Sequence, residues 1–237
     1  MVERRWRVNV EVVIPALNEA LSIGEVVRRI PRPLVRAVWV VDNGSTDRTG
    51  EVALAAGAQV LREERRGYGQ ACLTGIAALS PNCDIVVFLD ADGSDAPEEL
   101  TALVRPIAAG EADLVIGSRA LGRAEEGSLT LQQRVGNRIA SAWLRKRFGQ
   151  PATDLGPFRA IRRDSLDRLR MSDVDYGWTI QMQIAAARAG LRYCEVPVTY
   201  TRRVGKSKIS GTVRGTLGAA VKIIGLLAWH DLKGRPR

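Results

Sequence analysis

The sequence predicts an α/β protein whose central sheet is mostly parallel and covered by helices on both faces. Short apolar runs rich in β-branched residues recur along the chain, each bounded by turn residues, as strands buried on both faces require. Segments of helical period separate them, so successive strands are joined by crossovers. The clearest run, Ile85-Val86-Val87-Phe88-Leu89, ends at once in Asp90-Ala91-Asp92, at the end of a strand where an open α/β sheet binds its ligand.

In chain order, Val8 to Ile14 reads as the first strand, stopped by Pro15, with an amphipathic helix near Leu21 to Ile30 that Pro31 and Pro33 close. Ala37 to Val41 is a second buried strand. The polar turn Asp42 to Asp47 then leads into a helix ending about Ala56, with Ser45 or Thr46 as its N-cap. A short strand at Gln59 to Leu61 precedes Arg66-Gly67-Tyr68-Gly69-Gln70, a helix through Leu79, and the Ile85 strand. Pro97 suits the first turn of a helix running to about Ala109. A strand at Asp113 to Ile116, the segment Gly117-Ser118-Arg119 and a long helix from Leu131 to Phe148 follow. Asp154 to Arg159 leads into a short strand, Gly177 to Ala189 is helical, and Leu191 to Tyr200 is the last strand.

A chain of 237 residues with 46% hydrophobic content is long enough to bury a substantial core. Met1 to Arg7 is charged, and the apolar run that follows is broken by Asn9 and Glu11, so no signal peptide is read. No stretch approaches the roughly 20 apolar residues of a spanning helix. Cys72, Cys83 and Cys194 are odd in number, widely spaced and lack a Cys-x-x-Cys pair, so neither a disulfide framework nor a zinc site is indicated and a reducing cytoplasm is the expected compartment. The formal charge is +9, and from Thr201 onward nine basic residues face one acid, Asp231. The excess is confined to one end, which therefore expects an anionic partner. The chain divides accordingly into a main α/β domain, 1–200, and a basic tail, 201–237.

If the strand's extended backbone persists through Ala91, Asp90 and Asp92 project to one side. Two hard oxygen donors there suit a divalent ion that bridges substrate phosphates, since Mg2+ uses one or two carboxylates and fills its octahedron with water and phosphate. The second triplet of this kind, Asp173-Val174-Asp175, has no apolar strand before it and reads as loop or capping chemistry.

Five motifs taken together resemble family 2 glycosyltransferases. They are Val13-Ile14-Pro15-Ala16-Leu17-Asn18-Glu19, Val41-Asp42-Asn43-Gly44-Ser45-Thr46-Asp47, Leu89-Asp90-Ala91-Asp92, Gly117-Ser118-Arg119 and Gly205-Lys206-Ser207-Lys208. Within that family the set is similar to the branch of dolichol-phosphate mannose synthases and polyprenyl-phosphate glucosyltransferases, over about residues 8 to 210. The resemblance implies a GT-A (Rossmann-like) fold and inverting transfer of a sugar from a nucleotide diphosphate sugar of the UDP-glucose or GDP-mannose type. It implies that Pro15, Leu17, Asn18 and Glu19 hold the nucleotide and that Asp42 contacts the base. Asp90, Ala91 and Asp92 take the ribose and the metal-held diphosphate, with Mg2+ or Mn2+ as the metal. Arg202 and Lys208 match positions that meet the donor phosphates. Arg119, Arg134 and Arg138 match positions around an acceptor lipid phosphate. Two departures stand out: Asn43 replaces a frequent second acid, and Ser94 replaces the Gln that the mannose synthases place after their second Asp.

The acceptor decides what else the site needs. An alcohol requires a general base, and the single histidine, His230, lies far along the tail, which leaves Asp154 as the best carboxylate, an Asx-turn or helix-cap role being its alternative. A phosphomonoester is already largely ionised at neutral pH and needs positioning by cations instead. Arg134 and Arg138, four apart, share a helix face. In the tail Val213, Leu217, Ala220, Ile224, Leu227 and Ala228 recur at helical spacing with Lys222 opposite. Such a basic amphipathic helix fits an anionic membrane surface, and equally a last core helix or a dimer contact. The expected partners are thus a nucleotide diphosphate sugar, a polyprenyl phosphate and an anionic membrane, with a homodimer or a separate membrane protein also open. The expected place of action is the cytoplasm, peripheral at the membrane. The enzyme alternative transfers the sugar to a soluble or protein-bound hydroxyl. A sugar nucleotidyltransferase would carry a Gly-rich basic loop after its first strand, where Pro15 to Glu19 stands. Nucleic-acid binding would require aromatics among the tail's charges, where only Trp229 occurs.

Overall fold

The computed structural model describes residues 8–205. Lys208, His230 and the spaced apolar residues from Val213 to Ala228 lie outside them, so the expectations for the tail helix rest on sequence. Seven strands, β1 (Val10–Ala16), β2 (Val35–Asp42), β3 (Gln59–Arg62), β4 (Ile85–Phe88), β5 (Leu114–Ala124), β6 (Arg159–Arg162) and β7 (Tyr193–Tyr200), form one sheet in the order β3-β2-β1-β4-β6-β5-β7. Every pairing is parallel except those of β6, which runs against both β4 and β5.

The helices are α1 (Ile23–Arg29), α2 (Thr49–Ala55), α3 (Tyr68–Ala77), α4 (Leu100–Ala108), α5 (Leu131–Phe148), α6 (Arg163–Leu169) and α7 (Trp178–Arg188). One core packs Ile23, Val26 and Val27 of α1, Ala53 of α2 and Leu100, Leu103 and Val104 of α4 against one face of the sheet. A second packs Ala71 and Cys72 of α3, Leu166 of α6 and Trp178 and Met182 of α7 against the other. A third, smaller cluster joins Ala140 and Leu144 of α5 to Ile180 and Ile184 of α7. Both faces are covered, which is why β4 is apolar throughout rather than alternating.

Several boundaries differ from the sequence reading. Pro15 does not stop β1, which continues to Ala16 beside β2. Val13 O accepts from Leu89 N, so by strand alternation Pro15 faces the β4 side, where pairing has ended at Val13–Phe88. Its missing N–H therefore forfeits no ladder bond. Neither Ser45 nor Thr46 caps α2; its N-cap is Arg48, and Asp47 Oδ1 accepts from Thr49 N at 3.0 Å. The strand read as Asp113 to Ile116 runs on through Gly117-Ser118-Arg119 to Ala124, pairing with β7 with a register shift between Ser118 and Arg123. A 3-10 turn, Pro97–Glu99, precedes α4.

Candidate active site

The site assembles from loops at the C-terminal ends of β1, β2 and β4, joined by the loop entering β6 and the chain leaving β7. The first two loops are stitched together. Asn18, in the left-handed region at φ 53°, accepts from Thr46 N at 2.8 Å and donates its own N–H to Ser45 Oγ at 2.9 Å. Glu19 N donates to Thr49 Oγ1, and Ala20 N to Asp47 Oδ2. Asn tolerates positive φ and its side chain mimics a backbone turn, which fits this position. Leu17 is half-buried beside these bonds, while Pro15 is buried within β1.

Asp42 ends β2 buried, its Oδ1 accepting from Ser45 N at 2.8 Å and its Oδ2 from the exposed Arg62 at 3.3 Å. Asn43 shows why an amide stands here. Its Nδ2 donates to Glu63 O and Arg65 O, and its Oδ1 accepts from Gly67 N. A carboxylate accepts only and could not make the first two bonds. This holds the loop that opens α3, where the Tyr68 hydroxyl donates to Asp90 Oδ1 at 3.0 Å.

β4 ends at Phe88, so Asp90 and Asp92 are presented by a turn and not by continued strand. Asp90 is half-buried and Asp92 buried; a third acid, Asp95, lies beside them. Burial and then the Asp92 charge push Asp90 up to about 7. Burial, Asp90 and Asp92 hold Asp95 well above the ordinary carboxylate range. Ser94, where the mannose synthases carry Gln, donates from Oγ (2.5 Å) and N (2.9 Å) to Asp92 Oδ1, locking that carboxylate. Asp92 Oδ2 meets Arg203 at 2.6 Å, and the same guanidinium reaches Glu19 at 3.5 Å.

The basic segment is thus part of the site from its first residues: Thr201 N donates to Ser94 O and Val204 N to Asp92 O. Arg203, not Arg202, meets the carboxylates. Arg202 is turned toward the chain before α5, donating to Glu126 O at 2.7 and 2.9 Å and pairing with Glu125. The sequence reading missed Arg203, Tyr68 and Asp95 as site residues. Asp95, three residues after Asp92, was the one with a signal in the spacing.

A second assembly adjoins the acids. Asp154 is 1% exposed and receives three bonds from Arg119: from N (2.7 Å), Nε (2.8 Å) and Nη2 (2.7 Å). Burial works against the guanidinium's charge, but Asp154 outweighs it and keeps the group above its ordinary range. The guanidinium also lies 4.9 Å from the centre of the Tyr200 ring. Gln183 Nε2 donates to Asp154 O, and Asn137 of α5 grips both sides of the loop, donating to Thr153 O and accepting from Leu155 N. Gly156 is required here, since a Cβ would lie 2.6 Å from Gly117 O. Arg134 and Arg138 are exposed on α5, with Arg134 folded back to Leu129 O. In α5 they lie three residues before and one after Asn137.

Among the described residues, no three Asp, Glu, His or Cys side chains are placed as a ready cage for a metal ion. The donor set nonetheless fits a hard cation that brings its own ligands. Asp90, Asp92 and Asp95 crowd like charges, Asp95 Oδ1 is buried without a hydrogen-bond partner, and Arg203 already sits as a cation on Asp92.

The description Glycosyl transferase family 2 matches residues 11–170. The chain belongs to that family. An uncharacterised glycosyltransferase of Mycobacterium tuberculosis is 43% identical over 211 residues, 88% of this chain and 93% of that one. The undecaprenyl-phosphate mannosyltransferase of Micrococcus luteus is 32% identical over 94% of this chain and 97% of its own. Glucosyl-3-phosphoglycerate synthase from M. tuberculosis, solved with Mn2+, UDP-glucose and phosphoglyceric acid, superposes with a TM-score of 0.76 at 28% identity, over 94% of this chain and 80% of that one. The fold of this family 2 glycosyltransferase is therefore GT-A, and its similarity extends to polyprenyl-phosphate mannosyl enzymes.

Proposed function

We propose that this glycosyltransferase moves a hexose from a nucleotide diphosphate sugar to a polyprenyl phosphate, with inversion and with Mg2+ or Mn2+. The state of Asp154 is the observation that carries this reading. It is the best-placed candidate base, and both its oxygens are committed to Arg119. A candidate base so committed suits an acceptor that arrives ionised. The acceptor oxygen forms its bond to the sugar's anomeric carbon while the bond to the donor diphosphate breaks, and the electron pair leaves with the nucleoside diphosphate. The name of the M. luteus relative supports the same acceptor class.

In this reading Asp42, Asn18 and Glu19 shape the nucleotide loop, and Asp90 and Asp92 hold the cation, which neutralises the leaving diphosphate when bound. Arg203 and Lys208 serve the donor phosphates, with Arg202 supporting them from the adjoining loop. Arg119 faces the reacting groups, and Arg134 and Arg138 receive the acceptor phosphate. Action from the cytoplasmic side agrees with three free thiols, two of them buried. Among the described residues no helix is long and apolar enough to cross a membrane.

A hydroxyl acceptor is the second reading, favoured by the structural likeness to an enzyme solved with phosphoglyceric acid. Nucleotide release from a panel of UDP and GDP sugars separates the two, run with Mg2+ or Mn2+ and either a short polyprenyl phosphate or phosphoglyceric acid. Release that depends on the prenyl phosphate and disappears in Asp92→Ala is the expected result. Release that depends on phosphoglyceric acid instead would replace this reading with the second.

A further inference from the structure

The loop that carries Asp154 takes its shape from side chains. Each main-chain N–H and C=O of Thr153, Asp154 and Leu155 meets one, as buried backbone requires. Asn137 and Gln183 hold Thr153 O, Leu155 N and Asp154 O. Arg159, fully buried in β6, donates to Leu155 O at 3.1 Å and to Gly156 O. The two remaining amides, Thr153 N and Asp154 N, donate to one atom, Glu195 Oε1, at 2.8 and 3.3 Å.

Glu195 lies half-buried in β7, beside Ile116 of β5 in register. Its Oε1 also accepts from the Tyr193 hydroxyl, and its Oε2 from the Thr153 hydroxyl. Four neutral donors therefore converge on one side chain, and a carboxylate, with about four lone-pair sites and no hydrogen, is the group that can take them all. Thr153 gives its hydrogen to Glu195, so the 2.7 Å bond between Thr153 Oγ1 and the buried Ser118 Oγ has Ser118 as donor. Ser118 precedes Arg119 and Thr153 precedes Asp154, so this chain of bonds ends at both halves of the Arg119–Asp154 pair. We infer that Glu195 is a positioning residue for sugar transfer. Through Thr153 and Asp154 it fixes the direction in which Arg119 faces the acceptor, without itself touching a substrate. The inference rests on the proposed function in placing Arg119 on the acceptor side.

The test compares Glu195→Ala, Glu195→Gln and Thr153→Val in the full chain. Transfer to a short polyprenyl phosphate, read as kcat/KM for the acceptor, is expected to fall about 100-fold in Glu195→Ala, as when a reacting group is misplaced by about 1 Å. Binding of Mn2+ with UDP or GDP, measured by calorimetry, is expected to be unchanged, because Glu195 bonds nothing at the ends of β1, β2 or β4. Glu195→Gln keeps one accepting oxygen and should recover part of the loss. Thr153→Val removes one donor at nearly constant shape and should cost about tenfold, which gives an answer even where Glu195→Ala does not fold. Hydrogen exchange at the amides of 153–155 should quicken in Glu195→Ala. Wild-type transfer in Glu195→Ala would overturn the proposal. So would a matching loss of nucleotide binding in Glu195→Ala and Thr153→Val, which would make Glu195 a general support of the fold. Transfer by the wild type to phosphoglyceric acid alone would replace the proposed acceptor. Loss of that transfer in Glu195→Ala, with nucleotide binding kept, would still uphold the role of Glu195.

Discussion

At the scale of single residues, the pairing of Arg119 with Asp154 makes the sharpest prediction. Asp154→Asn strips a buried guanidinium of its counter-charge and is expected to cost on the order of 3 kcal/mol, measured by denaturant unfolding. Arg119→Leu/Asp154→Leu should regain much of that stability and none of the activity. A base would leave an acid limb in the pH dependence of kcat/KM that Asp154→Asn removes, whereas a positioning partner lowers kcat and leaves the profile's shape. Asp90 predicts an opposite sign. The folded chain keeps its proton to about 7, against an ordinary 3.8, so between those values it binds more protons than the unfolded chain. Without metal, stability therefore declines as pH rises through that window. Asp90→Asn should soften the decline and stabilise the metal-free protein at pH 8 by about 1 to 2 kcal/mol, read as melting curves in chelator. The acids were legible in the sequence because a buried strand ended in them. Arg203 was not, since two adjacent arginines look alike until the backbone turns one toward Asp92 and the other toward Glu126.

At the scale of elements, α5 is set by its termini. Thr130 and Gln133 form a reciprocal capping box, and Gly149 closes the helix at φ 68°. Thr130→Ala is expected to cost about 1 kcal/mol, visible as an earlier midpoint in urea at unchanged slope. Gly69, in the first turn of α3, packs under the Asp173 carbonyl, where a Cβ would lie 2.0 Å from the oxygen. Gly69→Ala should therefore displace the Tyr68 turn and lower activity together with stability. The sequence showed where α5 lies because its period, caps and length agree. It did not show α6, seven residues in which Leu166 and Leu169 are the only apolar side chains. It also shortened β5, because Gly117-Ser118-Arg119 has turn composition, while Gly117 and Ser118 pair with Val196 and Pro197 of β7.

For the whole molecule, Asp90, Asp92 and Asp95 converge at one end of the sheet, and Arg203 meets them from the chain after β7. Mn2+ given together with a nucleoside diphosphate at about a hundred times their dissociation constants should raise Tm by roughly 5 to 10 °C, and Asp92→Ala should abolish the shift. The overall architecture was legible from the alternation of strands and helices. The reversal of β6 was not, because four residues, Arg159–Arg162, carry no mark of strand direction. That reversal has a consequence for how such enzymes diversify. A strand entered from the ligand end of the sheet delivers the Asp154 loop beside Asp90 without disturbing β1, β2 or β4. Under the proposed function, exchanging the segment from β5 to β6 between relatives, together with its partners Gln183 and Glu195, is expected to change the acceptor while the ends of β1, β2 and β4 stay as they are.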